Sequence, residues 1–104
     1  MKGSVRKDAC ELCGREIERR AIVMHNIVPC EVTEQAGMSE SGIVKLCINC
    51  HNEVEVWYLK RVFSETYDWG SKHFRPKIPT EMVKEYEAAY TAFVKYKKWL
   101  LHIA

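Results

Sequence analysis

The chain lacks any apolar run long enough to cross a bilayer, and its opening residues, Met1-Lys2-Gly3-Ser4-Val5-Arg6-Lys7, lead into charge rather than into the apolar stretch of an export signal. No membrane association is expected, and the cytoplasm is the expected compartment. Internal repeats and low-complexity tracts are missing too, which argues against a solenoid or a linker. With 47% hydrophobic and 29% charged residues among 104, the composition is that of one globular domain. A large charge of one sign is also absent, the formal net charge being only +2.

That small sum hides an asymmetry. Residues 1–20 carry six Lys/Arg against four acids, residues 21–71 three against seven, and residues 72–104 seven against three. Basic ends could contact a polyanion while the acidic middle holds a cation, although a weakly basic helix can equally be a solvated face. The candidate phosphate contacts are Lys72, Arg75 and Lys77 with Lys95, Lys97 and Lys98. Trp57, Tyr58, Trp69, Tyr86 and Trp99 could stack on unpaired bases, but aromatics at helical spacing are more often core.

What the chain does have is cysteine in pairs: Cys10-Glu-Leu-Cys13 and Cys47-Ile-Asn-Cys50, followed by His51. A two-residue spacer brings both sulfurs of a pair onto one turn, and two such pairs complete a closed tetrahedral zinc site. A redox dithiol is the rival, but such motifs come singly at the start of a helix in a βαβ unit. The fifth cysteine, Cys30, reads as an ordinary buried thiol. A chain this short buries only about two thirds of its unfolded surface, so a structural metal would help a thin core.

Along the chain, residues 1–9 are expected to fray. Cys10 to Gly14 has the form of a zinc knuckle, with Gly14 free to take positive φ. Ala21 to His25 reads as a strand, residues 29–42 as a loop, and Ile43 to Leu46 as a second strand delivering Cys47. From about Cys50 the spacing of Val54, Trp57, Tyr58, Arg61 and Val62 predicts a helix to about Phe63, with His51 and Glu55 on one face. Residues 64–79 read as an irregular segment pinned by aromatics onto the core. Thr80 is the candidate N-cap of a final helix to about Leu101, carrying an apolar stripe from Met82 to Leu100. The expected fold is α+β: a zinc-stabilised treble-clef core over residues 10–63, with the aromatic-pinned loop and an additional C-terminal helix over residues 64–104 packed on it.

Around these cysteines the chain resembles the HNH endonuclease family, the ββα-metal nucleases, in its zinc-supported branch. Cys10-Glu-Leu-Cys13-Gly14, then His25-Asn26-Ile27-Val28-Pro29, then Leu46-Cys47-Ile-Asn-Cys50-His51 carry the resemblance, which covers about residues 10–63. It implies a catalytic divalent ion, Mg²⁺ or Mn²⁺, held by His25, His51 and Glu55, and it places Asn26 where the family has a histidine base. An amide cannot accept a proton at neutral pH. Gly42, with Ser41 beside it, stands where the family has a loop-fixing Asn, and Glu55 where it often has a further histidine.

Two readings therefore stand. The preferred one is a nuclease or nuclease-like protein in which catalysis would fall to His25, Asn26 and His51, acting on nucleic acid, DNA before RNA. The other is a non-catalytic zinc module that binds nucleic acid or a protein partner, with His25 a hydrogen-bonded structural residue. His73 and His102 are expected at the surface.

Overall fold

The computed structural model describes residues 6–103. It is a mixed α/β structure of three small antiparallel sheets and three α-helices among the described residues. Strand β1 (Lys7–Ala9) pairs with β2 (Glu16–Glu18), with Asp8 opposite Ile17. The expected fraying of residues 1–9 thus fails at Lys7–Ala9, and its first five residues lie outside those described. Between these strands the chain makes a tight turn: the Gly14 N–H donates to Cys10 O at 2.9 Å and the Cys10 N–H to Arg15 O at 3.0 Å. Gly14 takes φ 76°, the left-handed conformation that its missing Cβ permits.

A 3₁₀ turn over Arg19–Ala21 leads into β3 (Val23–Asn26), which pairs with β4 (Ile43–Leu46), His25 standing opposite Val44. The connection is not all loop. Residues Cys30–Gln35 form a short helix, α1, ended by Gly37 at φ 68°. Six residues are too few for a helical period to show against the surrounding Gly, Ser and Thr.

Helix α2 (Ile48–Arg61) follows β4 directly, with Cys47 as its N-cap, and buries Cys50, Val54 and Tyr58. Residues 64–79 are more regular than expected: β5 (Glu65–Asp68) and β6 (His73–Pro76) form a hairpin with Tyr67 opposite Phe74. Its aromatics hold one another, Tyr67 meeting Trp69 at 4.7 Å and Phe74 at 5.2 Å between ring centroids, while Trp69 stays 83% exposed. They do not seat in the core.

Helix α3 (Pro79–Ile103) starts one residue before the expected cap. Proline's fixed φ suits a first helical position, and the Glu81 carboxylate reaches back to accept the Ile78 N–H at 2.9 Å, so Thr80 has no capping part. The core lies where α3 crosses α2 and the cysteine turns: Phe93, Val54 and Leu46 are almost wholly buried beside Tyr90, Ala89, Cys10 and Cys50. Trp57 Nε1–H donates to Ala89 O at 2.9 Å, and the Trp57 and Phe93 rings meet edge to face at 5.3 Å. No described helix is long and apolar enough to cross a membrane.

Candidate functional site

The turn after β1 and the first turn of α2 carry the two cysteine pairs to one point. The Sγ atoms of Cys10, Cys13, Cys47 and Cys50 all lie within 4.8 Å of one another, and Cys13 Sγ is 3.8 Å from Cys47 Sγ. A tetrahedron with the zinc–sulfur bond length of about 2.3 Å has an edge of about 3.8 Å, so the donor set fits an ion of that size. No cysteine is paired in a disulfide.

Two features hold the pairs in register. The Glu11 N–H donates to Lys45 O at 2.8 Å while the Glu11 carboxylate accepts the Lys45 N–H at 2.7 Å, stapling the first turn to β4. Cys47 caps α2, its sulfur accepting the Cys50 N–H at 3.5 Å. Burial pushes the Cys10 thiol up, but N–H groups of Cys13, Cys47 and Leu12 aimed at its sulfur bring it down to about 7. Burial raises Cys13 and, more strongly, Cys50. A metal ion removes this conflict, because it binds all four sulfurs as thiolates.

The second cluster grows from the same turn of α2. His51, next to Cys50, and Glu55, one turn on, face His25 of β3: His51 Nε2 is 3.5 Å from Glu55 Oε1 and His25 Nδ1 is 3.8 Å from the same oxygen. Ligand atoms of all three residues lie within 4.8 Å of one another. The His25 and His51 rings meet edge on at 5.4 Å. These side chains line a pocket of about 410 Å³ together with Asn26, Tyr58 and Tyr86. The sequence-level grouping of His25, Asn26, His51 and Glu55 is therefore a spatial one. The side chain of Asn26 donates to Cys30 Sγ at 3.5 Å.

His25 is 4% exposed, and its ring nitrogen Nε2 is 3.2 Å from the Tyr58 hydroxyl. Burial, with the nearby His51 charge, lowers its pKa from 6.5 to about 4. The ring is neutral at pH 7. Because the unfolded chain takes up this proton near pH 6.5 and the folded chain only near 4, the folded state binds fewer protons between those values. Stability is full above about 6.5 and is lost as pH falls toward 4. Between pH 7 and 5, the wild type should lose about 2 kcal/mol more than His25→Gln in urea unfolding. Proton competition at the cysteines is common to both proteins and cancels; equal losses would show that His25 is not held neutral.

The basic residues fare differently. Lys97, expected at a phosphate-binding face, is buried: its ammonium lies 3.0 Å from Glu53, in the field of Cys50 and Cys13. It serves the cysteine cluster's surroundings rather than solvent. Arg75 makes a two-pronged ion pair with Glu81, and Lys77 pairs with Glu85. Lys72, Lys95 and Lys98 are exposed and take no part in the ion pairs found among the described residues. His73 and His102 are exposed as expected, whereas Cys30, expected to be buried, is exposed at the start of α1, where no core element covers it.

Two contributors were missed by sequence reasoning. The Ser41 hydroxyl accepts the Val28 N–H at 2.9 Å and donates to Val28 O at 3.2 Å, while the Ile27 N–H donates to Gly42 O at 3.0 Å. The loop after β3 is thus fixed without an asparagine. Tyr58 is the other, its hydroxyl donating to Ile27 O at 2.8 Å. Both bonds span more than ten residues, so no local pattern announces them. No protein-family model, curated protein or solved structure matches the chain.

Proposed function

We propose that this chain is a zinc-supported member of the HNH, or ββα-metal, group with a treble-clef core, and that it hydrolyses phosphodiester bonds of nucleic acid, DNA before RNA, with a divalent cation. The observation that carries the reading is the meeting of His25, His51 and Glu55 in an open pocket on a cysteine-clamped strand–strand–helix unit. Its support is chemical as well as spatial. Two imidazoles and one carboxylate are a donor set that suits a divalent first-row ion such as Mn²⁺, and Mg²⁺ would lean on the carboxylate and water.

His25, held neutral by burial, offers a lone pair without first losing a proton. Glu55, 53% exposed, brings negative charge to the pocket mouth, where a hydrated ion can arrive. A bound cation would neutralise the phosphate and lower the pKa of its water. Asn26 can orient that water through its amide but cannot take its proton. Cys10, Cys13, Cys47 and Cys50, filled by zinc, keep β3, β4 and α2 in place.

Plasmid nicking tests the reading. With Mg²⁺, Mn²⁺ or Ni²⁺, the wild type should nick, and His25→Ala and His51→Ala should each lose that activity at unchanged zinc content. Equal background in all three proteins overturns it. The amide at Asn26 favours a second reading, a zinc module that binds without cutting. In that case DNA binding falls steeply with salt and needs no metal beyond zinc.

A further inference from the structure

We propose that Tyr58 is a positioning residue that fixes His25 in its Nε2–H tautomer and so presents Nδ1 as the nitrogen that binds a divalent cation. The proposal rests on reading His25, His51 and Glu55 as a cation site.

A carbonyl oxygen only accepts, so the Tyr58 hydroxyl, 2.8 Å from Ile27 O, must spend its single hydrogen there. Toward its other neighbour the hydroxyl can then only accept. That neighbour is His25 Nε2 at 3.2 Å, which must therefore carry the ring hydrogen. In a neutral imidazole the other nitrogen, Nδ1, is left bare.

Nδ1 faces Glu55 Oε1 at 3.8 Å, too long for a hydrogen bond and without a hydrogen to share. Two acceptors this close repel unless a cation lies between them. His51 Nε2, 3.5 Å from the same oxygen, closes the third side.

Tyr58 is well placed for this duty. It is 6% exposed, sits one turn beyond Val54 on the buried face of α2, and its ring packs edge-on against Tyr86 at 5.0 Å. Ile27 lies two residues after His25, so a single hydroxyl ties the strand's histidine and the following backbone to the helix that supplies the other two ligands. Outer hydrogen bonds of this kind orient ligating histidines, and their loss costs about 10–100-fold in metal affinity.

Two measurements on the zinc-loaded chain test it. At pH 7, long-range ¹H–¹⁵N spectra of the wild type should show His25 with a protonated Nε2 and a bare Nδ1. A protonated Nδ1 overturns the role of Tyr58. Mn²⁺ titration should give at least about tenfold weaker binding for Tyr58→Phe, with zinc content unchanged, whereas Tyr67→Phe, in the β5–β6 hairpin and outside the pocket, should bind as the wild type does. Equal Mn²⁺ affinity in Tyr58→Phe and wild type also overturns the positioning role. If the wild type binds no Mn²⁺ yet shows the Nε2–H tautomer, the cation reading fails and not the hydrogen-bond assignment. Should Tyr58→Phe fail to fold, the wild-type spectrum still decides the tautomer.

Discussion

Replacing Cys47 by serine, or stripping the metal with a chelator, should unfold the chain rather than loosen it. Cys47 does two jobs: its sulfur stands 3.8 Å from Cys13 Sγ in the cluster, and it caps α2 by accepting the Cys50 N–H. Serine can still cap, but its hydroxyl does not replace a thiolate as a zinc ligand. Structural zinc contributes about 10–16 kcal/mol in small modules, whereas whole domains are stable by about 5–15 kcal/mol. The core does not make up the deficit, since Cys10, Cys47 and Cys50 are themselves among its buried residues. The expected result is one zinc per wild-type chain, almost none in Cys47→Ser, and loss of the cooperative unfolding transition. A chelated chain that still melted cooperatively with its helical signal intact would remove zinc from the account of stability.

The second large effect is a gain. If Asn26 stands in the place of a base, Asn26→His should raise the metal-dependent nicking rate by about 10²–10⁴, the usual contribution of a positioned base. The site has room for it. Asn26 lines the same pocket as His25, His51 and Glu55, and what its amide gives up is one long bond to Cys30, whose sulfur is a weak acceptor. The new activity should rise with pH through the ordinary histidine range near 6.5, which background nicking would not do. An unchanged rate and a flat profile would show that water is activated without help from residue 26.

The parts of this structure legible in the sequence were those written in short spacings. Two cysteines three apart, a glycine after the first pair and a histidine after the second fixed the turns, and the four-residue step from His51 to Glu55 put both on one face of α2. What stayed hidden was short, solitary or long-range. Helix α1 has fewer than two turns, so no period could mark it. The β5–β6 hairpin lay behind Gly70 and Pro76, which read as punctuation. Tyr58 and Ser41 act across the fold on Ile27 and Val28, and a tyrosine at helical spacing looks like core, which this one also is. Lys97 looked like part of a basic run because its partner, Glu53, is 44 residues away.

The burial of Lys97 bears on how the chain divides. Four thiolates around one divalent ion would carry a net charge of about −2, and an ammonium from α3, paired with Glu53 of α2, stands beside the sulfurs that would bear it. The same helix closes Val54 and Tyr58 off from solvent through Tyr90 and Phe93. Residue 63, the expected end of the cysteine-bearing core, is therefore not where autonomy begins. A fragment cut there would keep every cysteine yet lose both its counter-charge and its roof, and is expected to fold less stably than the chain that retains its last helix.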